Sequence, residues 1–105
     1  MNLRLTLVQT PLHWEDITAN LDQLSATLAN LEATDLVVLP EMFTTGFSMN
    51  AAQLAEPTEG RALQWMRNEA TRLGAVLTGS VMVKEQDLFF NRLLWVYPWT
   101  LRAVR

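Results

Sequence analysis

The stretch LVVLPEMFTTGF, residues 36–47, decides how the rest of the chain is read. Its first four residues are aliphatic on both faces, the pattern of a short parallel strand with helices on one side and another layer on the other. Pro40 cannot donate to a ladder and ends the strand. Glu41 then places a carboxylate between that strand and the apolar pair Met42 and Phe43, and the position asks for a reason.

Outward from this stretch, strand and helix signals alternate. Leu3, Leu5 and Leu7 share one face with Arg4 and Thr6 between them, a period of two that reads as a first strand ending near Thr10 and Pro11. The period then changes to that of a helix: Ile17, Leu21, Leu24, Leu28 and Leu31 form one stripe, with Asp16 or Thr18 as the cap. Residues 44–60 turn to Thr, Gly, Ser, Asn and Pro and read as a long loop, of the kind that often carries function. A second helix is expected over 61–73, with Leu63, Met66, Ala70 and Leu73 on one side and Gly74 as a left-handed stop. AVLTGSVMV gives a third strand, KEQD a polar turn, and LFFNRLLWVY a fourth strand that pairs with the third as a hairpin. This order predicts an α/β fold of about four strands and two helices with right-handed crossovers.

Composition bounds the function. The 105 residues are 50% hydrophobic and 18% charged, which suits one small domain. A chain this short buries only about two-thirds of its unfolded surface, so a missing element is costly. It has no cysteine, hence neither disulfides nor a thiol nucleophile of its own. A net charge of -3, with Lys84 and seven scattered arginines, supplies no basic stripe for phosphates, so nucleic acid is not an expected partner. No stretch approaches the roughly 18 apolar residues of a membrane span, and the start MNLRLTLVQT alternates where a signal peptide would be continuous. A cytoplasmic protein without membrane contact is the expectation.

In open α/β sheets ligands bind beyond the carboxyl ends of the strands, which is where Glu41 stands. If Leu39, Met42, Phe43 and Phe47 enclose it, desolvation raises its pKa toward values useful for proton transfer, and Glu41 reads as a general base. The plainer alternative is a solvated residue after a strand, or an acid satisfying free amides at a helix start. Spacing alone leaves both open.

The segments LRLTLVQTPLHW, NLDQL, DLVVLPEMFTTGF, LGAVLTGSV and FFNRLLWVYP together resemble the N-terminal part of the nitrilase superfamily of carbon-nitrogen hydrolases, most closely its ω-amidase type. The resemblance covers about residues 1–98. It implies the first part of an α-β-β-α sandwich and a Glu-Lys-Cys triad acting on amides of small carboxylic acids. Glu41 matches the base of that triad, and no residue here matches its lysine or its cysteine. Residues 1–98 are therefore expected to be a partial carbon-nitrogen hydrolase domain and 99–105 a divergent or truncated tail, as after a frameshift. Trp99 stands there where a turn glycine is expected. The chain alone is expected to be inactive.

Each other candidate has a structural role that competes with a functional one. Lys84 in VKEQDL reads as a surface lysine of the turn and not as a substitute for the missing one. Ser48, Thr44 and Thr45 lack the base, orienting partner and oxyanion hole that a hydroxyl nucleophile needs. His13, the single histidine, has no acidic or cysteine cluster, so no metal is expected, and no cofactor either. Phe43 and Phe47 are candidates for an acyl pocket and equally for core. Gly79 and Ser80 mark a close approach to the third strand or a bulge, and Asn91 a hydrogen bond near the site or a residue beside a turn. Trp65, Trp95 and Trp99 need only packing, but uncovered aromatics favour self-association, which gives a homo-oligomer as a partner expectation. The competing functional class is a non-enzymatic α/β binding or self-association module using the strand near residues 94–99.

Overall fold

The computed structural model describes residues 2–98, so the expectations for the tail at 99–105, including Trp99, lie outside them. The order is β1 (Leu5–Leu7), α1 (Ile17–Ala29), β2 (Leu36–Val38), α2 (Ala51–Leu54), α3 (Arg61–Leu73), β3 (Val76–Glu85) and β4 (Leu88–Val96). The strands form one sheet in the order β1-β2-β3-β4, with the first two pairings parallel and the last antiparallel. This is the α/β architecture of the sequence reading, with one short helix more than expected: α2 interrupts the 44–60 loop.

The two long helices form where their periodicity places them. In α1 the leucine stripe buries Leu21, Leu24 and Leu28, and of the two candidate caps Asp16 does the work, accepting from the Ala19 amide at 3.0 Å. In α3 the buried stripe is Ala62, Met66 and Ala70, and Gly74 ends the helix at φ 66°, a left-handed turn that costs glycine little. Both helices pack on the same face of the sheet, against Val37, Leu39, Leu77, Val81, Val83 and Val96. Trp65 of α3 reaches across to α1, its indole N–H donating to Ser25 Oγ at 2.8 Å.

The other face is open. The register aligns Leu5, Leu36 and Val76, and Leu7, Val38 and Thr78, and the pleat continues that row through Trp95, with Ser80 and Leu93 beside it. Leu7 is 61% exposed, Leu93 69% and Trp95 51%. Residues 36–39 are thus apolar on both faces as read, but among the described residues only one face has its helix layer.

The β3–β4 hairpin is tighter than the sequence suggested. Lys84 and Glu85 still pair with Phe89 and Leu88, and the turn is Gln86 and Asp87 alone, both with positive φ (53° and 66°). Two left-handed residues match the right-handed twist of the strands they join.

Candidate active site

Glu41 sits where β2 runs out. Leu39 still pairs through its amide with Thr78 O at 2.8 Å, Pro40 breaks the ladder, and a turn begins at Glu41. Met42 then takes φ 50°, an unusual conformation for a residue with a side chain, costing of order 1–2 kcal/mol. Ser80 of β3 holds it there: its hydroxyl accepts from the Met42 amide at 2.9 Å and its carbonyl from the Phe43 amide at 3.3 Å.

Phe43 fixes the turn from the core side. It is fully buried, with its ring 5.7 Å from that of Trp65. Gly79 makes room for it, since a Cβ there would lie 2.9 Å from Phe43 Cδ2 and 3.0 Å from Leu39 Cβ. The close approach expected at Gly79 is therefore the protein's own. Of the two readings left open for Phe43, it takes the core one: it anchors the turn and lines neither hollow beside Glu41.

With Leu39 and Phe43 turned into the core and Met42 buried outside that cluster, the Glu41 side chain emerges on the open side of the sheet. It is exposed, and so is Phe47 at 67%, which corrects the expectation that these flanks would desolvate it. Its partner is Asn91 of β4, whose Nδ2 donates to Glu41 Oε2 at 3.1 Å. Of the two readings left open for Asn91, the structure selects the contact with the site. The pair borders a hollow of about 340 Å³ whose walls include Val38, Thr78, Ser80 and Leu93. An anchored carboxylate with one oxygen hydrogen-bonded and space in front of it can accept or deliver a proton.

The loop around the site is tied at several points. Asn20, fully buried, donates to the carbonyls of Thr44 and His13 and accepts from the His13 amide. The Ser48 hydroxyl donates to Glu15 at 2.6 Å and that of Thr45 to the Gly46 carbonyl at 2.8 Å. Glu56 bridges to β3 through its backbone and accepts from the Ala62 amide at the start of α3 at 2.6 Å; its burial pushes its carboxyl above the usual range. Lys84 lies in the hairpin, 3.7 Å from Asp87.

A second hollow, of about 270 Å³, lies on the other side of Asn91, and Phe47 is on its wall. Met82 and Phe89, which also line it, were not singled out from the sequence. The signal existed, because once the turn is Gln86 and Asp87, Met82 pairs with Asn91 and the alternation of β4 brings Phe89 to the same side.

Residues 4–101 match the family model described as carbon-nitrogen hydrolase. Among curated proteins the chain is similar to omega-amidase YafV of Yersinia enterocolitica, 46% identical over 96 residues, and to omega-amidase YafV of Escherichia coli K12, 38% identical over 96 residues. Each match covers 91% of this chain and 37% of the relative, so the chain spans just over a third of the relatives' length. Among solved structures it is similar to a CN-hydrolase superfamily protein of Xanthomonas campestris with an arsenic adduct in its active site. That match has a TM-score of 0.86 and 46% identity over 91% of this chain and 37% of the other. Nit3 of Saccharomyces cerevisiae, from branch 10 of the nitrilase superfamily, shares the fold at a TM-score of 0.73 and 24% identity, over 91% of this chain and 40% of that one.

Proposed function

This chain belongs to the carbon-nitrogen hydrolase family, and we propose that Glu41 serves in it as the general base for hydrolysis of amides of small carboxylic acids. The observation that carries the proposal is the Glu41 carboxylate at the end of β2, gripped by Asn91 and facing a hollow on the open side of the sheet. The family's chemistry needs a thiol to attack the amide carbonyl. Glu41 takes the thiol proton and passes it to the departing ammonia, leaving a thioester, while a lysine stabilises the oxyanion. Glu41 then takes a proton from water, which attacks the thioester and releases the acid and the thiol. The 105 residues contain no cysteine, so the nucleophile comes from outside them, as does the lysine, because Lys84 is committed to the hairpin. In this proposal the chain alone does not hydrolyse amides, and the open face meets the second sheet of the sandwich, about 10 Å away.

The test is a chimera in which these residues replace the matching 96-residue segment of the Yersinia enterocolitica relative. The chimera is expected to hydrolyse amides of small carboxylic acids, and Glu41→Gln to cut kcat/KM by at least about 10²-fold. Equal activity of the two would reject Glu41 as the base.

The exposed Leu7, Leu93 and Trp95 favour a second reading, in which the open face packs on another copy of the chain. Concentration-dependent sedimentation of the 105-residue chain, abolished by Leu93→Asp, would support it; a monomer at all concentrations would reject it.

A further inference from the structure

The Glu41 carboxylate is exposed and joined to Asn91, so its position depends on the backbone that carries it. Met42 beside it is left-handed. Apart from the hairpin pair Gln86 and Asp87, the other non-glycine residue of positive φ among the described residues is Glu15, at 56°. Such conformations persist where surrounding contacts impose them. Strand β3 imposes the first half of the Glu41 turn through Ser80. The second half is held from the opposite side: Thr45 O accepts from the Glu15 amide and Thr44 O from the Asn20 side chain, both at 2.8 Å.

Asn20 is the unexpected member of this set. It lies in the first turns of α1, on the face of Ile17 and Leu24, and is fully buried. A leucine there would extend the apolar stripe, whereas a buried amide is costly unless it is matched bond for bond. The matching is complete: Nδ2 donates to Thr44 O and to His13 O, each at 2.8 Å, and Oδ1 accepts from the His13 amide at 2.6 Å. None of these three bonds serves α1. All go to the loops that follow β1 and β2, and they join one loop to the other. Asn20 is already fully enclosed, so the bonds do not depend on what covers the open face.

We infer that Asn20 is a positioning residue for the reaction: by fixing Thr44 against the loop at His13 it holds the downstream half of the turn, and with it the Glu41 carboxylate, in register for proton transfer. The assignment rests on the reading of Glu41 as the base. Asn20 touches no reacting atom, and its effect passes through Glu41. A misplacement of about 1 Å at such a group is enough to cost about 10²-fold in rate.

The chimera carries the test. Asn20→Ala, and Asn20→Leu, which keeps the bulk, are expected to lower kcat/KM for an amide at least about tenfold, and at least about threefold less for the p-nitrophenyl ester of the same acid. The ester's nitrophenolate leaves without a proton, so a fault in proton delivery weighs less on it. In a Glu41→Gln background either variant should cost no more than about twofold further, because the group it positions is gone. Ser25→Ala removes a different tie of α1, to Trp65, and should lower the melting temperature while leaving activity within about twofold. Parent-like activity of the Asn20 variants, equal defects on amide and ester, or losses that multiply in the double variants would each overturn the assignment. So would the failure of both Asn20 variants to fold while Ser25→Ala folds, since Asn20 would then hold the fold and not the site. A parent-like Glu41→Gln chimera would sink the base reading itself, whereas a defective Glu41→Gln beside parent-like Asn20 variants would remove the positioning role alone.

Discussion

One sheet here has two faces in opposite states. Toward α1 and α3, Val37, Leu77, Val81 and Val83 are sealed beneath Leu24, Leu28 and Met66, and Trp65 ties the helices together. Toward the other side, Leu7, Leu93 and Trp95 remain exposed around a carboxylate and two hollows. The same strands build both faces by simple alternation, yet the buried packing is concentrated on the first and the proposed chemistry on the second. A strand that is apolar on both sides therefore predicts two layers, and one of them can lie beyond the described residues.

That division can be broken most directly in the core. Leu24→Ala, at a fully buried position, should cost about 2–5 kcal/mol in urea unfolding, whereas Leu93→Thr on the open face should change stability by less than about 0.5 kcal/mol. Comparable losses would mean that the open face carries stability after all. Gly79→Ala probes the point where the two faces communicate. A new Cβ 2.9 Å from Phe43 Cδ2 should cost about 1–3 kcal/mol and displace the turn that presents Glu41, visible as a lost Asn91–Glu41 contact in a crystal structure of the variant.

A smaller effect is expected at Glu56, where the loop meets α3. Glu56→Ala removes an acceptor for the Ala62 amide and should cost about 1 kcal/mol, like other lost helix caps. Glu56→Gln keeps an acceptor and isolates the charge. Because burial raises the folded value above the ordinary 4.5, this carboxyl's contribution is fully present below about pH 4.5 and is lost as pH rises through the folded value. The Gln variant should therefore match its parent at low pH and exceed it above that window. A difference that instead grew as pH fell would contradict the assignment. Least of all should Lys84→Ala matter: as a hairpin residue beside Asp87 it should leave the activity of the chimera within about twofold.

Much of the covered face was legible in the sequence because its signals are local. The leucine stripe of α1, its cap and the stop at Gly74 each depend on residues within a turn or two: the stripe formed from Ile17 to Leu28 with Leu31 beyond the helix end, Asp16 took the cap left open between it and Thr18, and Gly74 ended α3 as read. Glu41 could be placed at a strand end for the same reason. Its surroundings could not, because they depend on direction. Met42 adopts a left-handed backbone conformation; of the apolar neighbours that looked like a desolvating shell, Leu39 and Phe43 turn into the core and Phe47 stays exposed, so the carboxylate is left exposed. Phe43 was ambiguous between pocket and core until Gly79 could be seen beneath it. Asn91 is 50 residues from Glu41, and their contact depends on a hairpin register that a one-residue error in the turn would have reversed.

The proposed step is proton transfer by Glu41 between the nucleophile and the departing ammonia. It is tested most directly by measuring the Glu41→Gln defect in the chimera on an amide and on the p-nitrophenyl ester of the same acid. Nitrophenolate leaves without a proton, so the account predicts a defect at least about tenfold larger for the amide. Equal defects on the two substrates would contradict it.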